Sequence, residues 1–159
     1  MSEHNPRVRT CFWFDGDGEQ AAELYVSLLP DSVIESVSRP EPDAPALVVH
    51  LSLSGAPYMF LNGGPQYTLT PAASIAVRTA DQAETDRLWH ALLADGGEES
   101  RCGWLTDRFG VSWQIVPDAL PRMLGASDRQ AAGRAMQAML QMSKIDIGAL
   151  EAAFHNSDN

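Results

Sequence analysis

The densest group of reactive side chains in the sequence surrounds the second cysteine. Cys102 follows Arg101 and lies a few residues before Asp107 and Arg108. A thiol becomes a nucleophile when a neighbouring base or positive charge favours the thiolate, and no histidine is fixed near this cysteine in the sequence. We therefore interpret Cys102 as a structural residue. We expect Asp107 to organise the turn before Gly110 through an Asx turn.

The four histidines are a second source of reactive groups, but their positions do not predict a metal site. His4 and His155 are close to the termini, and His90 falls on the polar side of a predicted helix. His50 lies in a predicted strand between two apolar residues, so its side chain points away from theirs. A hydrogen-bonded or half-exposed histidine is the more common outcome at such a position, and we predict that role for His50.

Composition limits the partners of the chain. Its 159 residues carry a formal net charge of −10, and 45% of them are apolar. Phosphate backbones and anionic membranes repel such a surface, so we expect no nucleic-acid or membrane partner. The chain starts with polar residues, and it has no apolar run long enough to span a bilayer. We expect a cytoplasmic protein with Cys11 and Cys102 as free thiols.

The first half of the chain predicts one strand, one helix and three further strands. The helix begins after Asp17, which is expected to cap it, and ends before Pro30. Residues rich in β-branched and aromatic side chains predict the strands. The predicted ranges are 8–14 for the first strand, 18–29 for the helix, and 32–39, 46–53 and 58–62 for the other strands.

The same order of elements then starts again. A strand is predicted at 73–79, a helix from the Asp81 cap to about residue 94, and strands at 98–106 and 111–116. In both helices the apolar residues lie seven, eight, eleven and twelve positions after the capping aspartate. This agreement in order and spacing predicts an α+β protein built from two β-α-β-β-β modules, at 7–64 and 72–117.

The tail, residues 118–155, is predicted to form helices rich in Ala, Met and Leu. Asp146 lies near the start of the last one. We interpret Met136, Met139 and Met142 as a packing stripe that covers a sheet or meets a second subunit. Because each half is too small to bury its own sheet, we expect the modules and this extension to form one structural domain overall.

Four segments of the chain resemble the PhnB-like family of the vicinal oxygen chelate (glyoxalase/bleomycin-resistance) superfamily. They are FWFDGDGEQAAELYVSLLPDS, GAPYMFLNGGP, the long stretch ending CGWLTDRFGVSWQIVP, and QMSKIDIGALEAAF. The resemblance implies mixed sheets that curl around a cavity, and commonly a homodimer. Some relatives carry a demethylubiquinone methyltransferase label. We do not extend that activity to this chain, because its Asp-Gly and Gly-Gly steps do not sit in a Rossmann-type unit.

The resemblance also indicates where a catalytic metal would be held. Metal-dependent members of the superfamily use His and Glu side chains on four strands. The matching positions here are Thr10, Ser74, Gln114 and a place within 59–62 where only Asn62 offers an oxygen. These side chains are neutral, whereas divalent ions favour anionic or imidazole ligands. We therefore predict no metal site and no cofactor.

The same reasoning predicts a pocket that combines aromatic surface with amides and hydroxyls. Its candidate lining is Thr10, Trp13, Phe60, Asn62, Ser74, Trp104 and Gln114. Such a pocket suits a small apolar or aromatic molecule, so we predict a small-molecule-binding protein. The alternatives are a metal-dependent lyase, isomerase or dioxygenase of the same superfamily, a scaffold whose dimer surface matters more, and aromatics that simply fill a closed core.

Overall fold

The computed structural model describes residues 5–156, which divide into two compact units. The first extends to Leu69 and the second begins at Thr70. The predicted modules, 7–64 and 72–117, each lie inside one unit, and the helical tail belongs to the second unit. The single overall domain stays a prediction, and the two units are described separately below.

The first unit is a four-stranded mixed sheet with one helix. β1 and β4 run parallel, and the other neighbouring strands are antiparallel. The strand order is β1-β4-β3-β2, which leaves the sheet open with β1 and β2 at its edges. The elements are β1 (Thr10–Phe14), α1 (Gly18–Leu28), β2 (Val33–Ser38), β3 (Val48–Leu53) and β4 (Ala56–Asn62).

The second unit repeats this topology and adds three helices. Its strand order is β5-β8-β7-β6, and β5 and β8 are the parallel pair. Because both sheets have the same order and directions, the predicted repeat and the α+β class are confirmed. The elements are β5 (Ser74–Thr79), α2 (Gln82–Leu93), β6 (Glu98–Glu99), β7 (Trp104–Thr106), β8 (Ser112–Pro117), α3 (Ala119–Leu124), α4 (Arg129–Met139) and α5 (Ile147–His155).

The predicted strand at 98–106 was wrong as a single element. It forms two short strands, β6 and β7, because the backbone turns between them at Cys102 (φ 58°) and Gly103 (φ 83°). A side chain at Gly103 would place its Cβ 2.8 Å from the carbonyl oxygen of Ile115, so only glycine fits this turn. The break gives the second module its full set of four strands.

The start of α1 departs from the sequence expectation. Asp17 occupies the N-cap position, but its side chain makes no capping hydrogen bond. Asn62, at the end of β4, does this instead: its Oδ1 accepts from the backbone N–H of Gly18 at 2.8 Å. Asp81 caps α2 through its side chain, as predicted, and Asp146 caps α5 in the same way.

Each sheet packs one face against the helix of its own module. In the first unit, Tyr25 of α1 contacts the ring of Phe60, which also contacts Phe12 and Phe14. In the second unit, Leu88, Trp89 and Leu92 of α2 are buried, and so are the residues Leu105, Trp113 and Ile115 of β7 and β8. On the opposite face of the second sheet, Val116 of β8 packs against the helical tail.

The helical tail forms a second apolar cluster around Leu120, Met123 and Leu150. Met139 and Met142 pack against this cluster, which agrees with the predicted packing stripe, while Met136 is 38% exposed. None of the helices in residues 5–156 is long and apolar enough to cross a membrane.

Candidate functional site

A pocket of about 300 Å³ lies on the face of the second sheet that points away from α2. Strands β7 and β8 form its base, and helices α3 and α4 supply one wall. Its size is at the small end of the range for ligand sites. The lining residues are Cys102, Trp104, Gln114, Val116, Leu120, Pro121, Leu124 and Met139.

Gln114 is the polar residue at the base of this pocket. Its neighbours in β8, Trp113 and Ile115, are buried on the α2 side, so Gln114 points to the opposite face. Its Nε2 donates to Ser74 Oγ at 2.9 Å. This bond uses one N–H of the carboxamide, and within the described residues Oε1 has no protein donor.

Trp104 provides the flat surface of the pocket. It is directly opposite Gln114 in the antiparallel pairing of β7 and β8, where side chains on one face are neighbours. Within the part of the chain that the structure describes, its indole N–H has no protein acceptor. The other three indoles all donate, Trp13 to Gly64, Trp89 to Glu99 and Trp113 to Asp107.

Cys102 forms part of the pocket rim, and its backbone is tied to the chain after α4. Its N–H donates to the Met142 carbonyl at 2.8 Å, and the Gly103 N–H donates to the Ser143 carbonyl at 2.7 Å. These bonds hold the break between β6 and β7 against the tail. They involve the backbone alone, so the structural role of the Cys102 thiol stays a prediction.

Asp107 holds the turn that leads into β8. Its Oδ1 accepts from the backbone N–H groups of Phe109 and Val111, which confirms the predicted Asx turn. Its Oδ2 accepts from Trp113 Nε1 at 2.9 Å, a contact that the sequence did not predict. The carboxylate thus sets where β8 starts, and through that the position of Gln114.

The predicted site residues of the first unit do not share one face of their sheet. Thr10 and Phe60 lie on the α1 side, where Phe60 is a core residue and Thr10 is exposed. The Asn62 side chain already has two partners: its Oδ1 accepts from Gly18 N at the start of α1, and its Nδ2 donates to the Ala46 carbonyl. Trp13 lies on the other face and contacts Tyr67 edge-on, with 4.9 Å between ring centroids.

Of the seven predicted residues, the structure therefore brings together Ser74, Trp104 and Gln114. That all seven line one pocket stays a prediction, since the other four belong to the first unit. The sequence reasoning missed the wall made by α3 and α4. The signal for it was present in the predicted packing stripe, because Met139 belongs to both the stripe and the pocket.

Two titratable groups of the first sheet have pKa values above their ordinary range. Burial raises the pKa of the Tyr58 hydroxyl, and partial burial raises the pKa of the Cys11 thiol, so both groups favour their protonated forms. His50 Nδ1 lies 3.4 Å from Ser36 Oγ, which fits the half-buried, hydrogen-bonded histidine expected from the sequence.

The donor set at the superfamily's metal positions does not fit a tightly bound divalent ion. Ser74 and Gln114 are neutral and hydrogen-bonded to each other, Asn62 is engaged in capping, and Thr10 lies on the α1 side of its sheet. Across residues 5–156, no group of three or more His, Cys, Asp or Glu side chains is placed to hold a metal ion.

A larger groove of about 770 Å³ runs between α4 and α5 but offers less directed chemistry. Its charged side chain, Arg134, donates to the carbonyls of Ala153 and Phe154 and so stabilises the end of α5. Small side chains line much of the rest. The pocket at Trp104 and Gln114 is the better candidate, because it joins an aromatic surface to polar groups that lack protein partners.

Comparison with known proteins agrees with this fold. A protein from Bacillus cereus described as a putative 3-demethylubiquinone-9 3-methyltransferase, PhnB protein, is similar over 70% of this chain and 99% of its own, with 29% identity and a TM-score of 0.65. Protein PA1353 from Pseudomonas aeruginosa is 23% identical, over 72% of this chain and 100% of its own, with a TM-score of 0.57.

The fosfomycin resistance protein FosX from Mesorhizobium loti shares the fold at 14% identity, covering 78% of this chain and all of its own, with a TM-score of 0.54. Comparison with curated proteins gives no match. The family described as 3-demethylubiquinone-9 3-methyltransferase matches residues 6–116, which include both modules. The chain therefore belongs to this PhnB-like family.

Proposed function

We propose that the protein binds a small, planar, largely apolar molecule in the pocket on the second sheet. The observation that carries this proposal is that Trp104 and Gln114 are neighbours on one face of the second sheet. Apolar side chains of α3 and α4 line the same pocket. Ligand sites typically combine an apolar lining with a few directed polar groups. An aromatic ring stacked on Trp104 would bury both surfaces.

The composition of the lining favours binding over catalysis. No carboxylate, imidazole or amine lines the pocket, and its one titratable side chain is the Cys102 thiol. General acid–base chemistry requires such groups within hydrogen-bonding reach of the reacting atom. The methyltransferase description of the family gives no further support for catalysis here, since a shared fold does not determine function.

The proposal is tested by titrating 15N-labelled protein with two-ring aromatic compounds and following the indole N–H signals of the four tryptophans by NMR. We expect the Trp104 signal to shift with saturation. Trp104→Ala should weaken binding by roughly tenfold or more, because it removes the stacking surface. Tyr67→Ala, which removes an exposed aromatic side chain of the first unit, is the matched control and should leave the affinity unchanged. If no compound shifts the Trp104 signal, the proposal is wrong.

The homodimer and the cytoplasmic location remain predictions. Light scattering coupled to size-exclusion chromatography measures the first directly. A dimer would have twice the mass of the 17.3 kDa chain.

A further inference from the structure

The face of the first sheet that points away from α1 carries a row of side chains with sulfur and nitrogen ligand atoms. Cys11 of β1 pairs with Met59 of β4, and Met59 pairs with His50 of β3. His50 in turn pairs with Ser36 of β2, so the row crosses all four strands. Phe60, which follows Met59, contacts α1, so the four residues of the row lie on the opposite face.

The spacing of this row lets a thiol, a thioether and an imidazole reach one ion. Neighbouring strands lie about 4.8 Å apart, so Cys11 and His50 flank Met59 with about 10 Å between their Cα atoms. Metal bonds of about 2.3 Å to sulfur and about 2.0 Å to nitrogen take up part of this span. The imidazole of His50 extends over most of the rest, and the flexible thioether of Met59 comes from the strand between them.

The ligand atoms of the row are accessible. Cys11 is exposed, and Met59 and His50 are half-buried. The Cys11 thiol makes a weak contact of 3.9 Å with the carbonyl of the next residue, which an ion can replace. His50 Nδ1 lies 3.4 Å from Ser36 Oγ, so a hydrogen bond to Ser36 leaves Nε2 as the nitrogen for a metal. Metal-binding histidines commonly hydrogen-bond through their second ring nitrogen in this way.

From this arrangement we infer that Cys11, Met59 and His50 form a binding site for Cu(I). Thiolate and thioether ligands favour this soft ion, and imidazole also suits copper. One thiolate balances the single positive charge of Cu(I), and the other two ligands are neutral. The thiol proton is released to solvent when the ion binds, and no electron is transferred.

This inference does not rest on the proposed function. The three ligands belong to the first unit, whereas the lining residues of the pocket belong to the second. The neutral oxygen ligands at the superfamily's positions disfavour a divalent ion, but they do not bear on a monovalent ion held by sulfur.

Competition with a coloured chelator measures the affinity. The full-length protein is titrated anaerobically with Cu(I) in the presence of bicinchoninate, whose Cu(I) complex loses its colour when the protein takes the ion. We expect one tightly bound ion per chain. X-ray absorption at the copper K edge should then show two sulfur ligands and one nitrogen ligand.

Variants assign the ion to the row. Cys11→Ser, Met59→Leu and His50→Gln each remove one ligand atom and nearly conserve the size of the side chain. Each should weaken Cu(I) binding by at least about tenfold, since the loss of an outer-shell partner alone typically costs about 10- to 100-fold in metal affinity. Cys102→Ser removes the other cysteine of the chain, so Cu(I) retained by this variant is bound at Cys11. Far-UV circular dichroism checks that every variant folds, and the two remaining ligand variants decide if one proves unstable.

Several results would overturn the inference. The protein could take no Cu(I) from the chelator, or Cys102→Ser could lose the ion. An unchanged affinity in any folded variant among Cys11→Ser, Met59→Leu and His50→Gln would also overturn it, because a thiol acting alone needs neither the thioether nor the imidazole. Methionine at an exposed position serves as a further control: Met136→Leu should bind Cu(I) as the wild type does.

Discussion

Replacing Asp107 tests how the second sheet is held in place. The side chain is 3% exposed and accepts from Phe109 N at 2.9 Å, Val111 N at 3.0 Å and Trp113 Nε1 at 2.9 Å. Trp113 itself is 1% exposed, so water cannot replace a lost partner there. Two of these bonds shape the turn before β8, and the third fixes the indole in the core.

Two substitutions separate these contributions. Asp107→Asn keeps one oxygen for the backbone donors but places an NH2 group opposite the N–H of Trp113, so two donors face each other. We expect a loss of about 1 to 3 kcal/mol in the free energy of unfolding, the usual cost of one buried unsatisfied group. Asp107→Ala removes all three acceptor contacts and should cost more, at least about 3 kcal/mol.

A double-mutant cycle with Trp113→Phe measures the contact itself. Because phenylalanine has no N–H, Asp107→Asn should cost less in that background, with a coupling energy of about 1 to 2 kcal/mol. Urea unfolding is followed by circular dichroism and by hydrogen exchange of the Val111 amide, because the chain forms two compact units and need not unfold in one step. Equal costs in both backgrounds, or an Asp107→Asn variant as stable as the wild type, would refute the reasoning.

Three further predictions concern other parts of the chain. Asn62→Ala removes the cap of α1 and should lower stability by about 1 to 2 kcal/mol, whereas Asp17→Ala should change it by less than about 0.5 kcal/mol; urea unfolding compares the two. The hydrogen bond from Lys144 lowers the pKa of Asp86. The stability that this pair adds is therefore present at pH values above the ordinary pKa of Asp86, and it is lost as the pH falls through the lowered pKa. In Lys144→Met, an NMR pH titration should show the pKa of Asp86 rising, and an unchanged value would contradict this. Gly133 lies inside α4, and a Cβ added there would have no neighbouring atom within 4 Å. Gly133→Ala should therefore raise the free energy of unfolding by about 1 kcal/mol, as measured by thermal unfolding.

The repeated modules could be predicted because their signals are local. Apolar spacing identified α1 and α2, and the strands followed from runs of β-branched and aromatic residues. The cap of α1 could not be predicted in the same way. Asp17 has the right residue type and position for a cap. The backbone N–H of Gly18 instead donates to Asn62, which lies 44 positions after Gly18 in the sequence. A Cβ on Gly18 would lie only 2.8 Å from Asn62 Oδ1, which shows how closely the end of β4 approaches the helix.

The faces of the strands explain why the site was only partly predicted. A shift of one residue in a strand moves a side chain to the opposite face, and resemblance to a family does not fix position to that accuracy. Thr10 and Asn62 therefore fell on the α1 side of the first sheet, whereas Gln114 and Trp104 fell on the open face of the second. The Met stripe indicated that the tail packs against another surface, but the place where α3 and α4 pack depends on contacts between residues distant in the sequence.

The bond between Ser74 and Gln114 shows what neutral residues at these positions can still do. Ser74 pairs with Ser112 across β5 and β8, so Gln114, two residues further along, is its diagonal neighbour on the same face. A hydroxyl and an amide in this arrangement hydrogen-bond to each other without a metal. Gln114 Oε1, the second N–H of its amide and the indole N–H of Trp104 remain available on this face. Polar groups next to an aromatic surface can orient an uncharged ligand, and titrations that follow the Trp104 indole signal test whether they do.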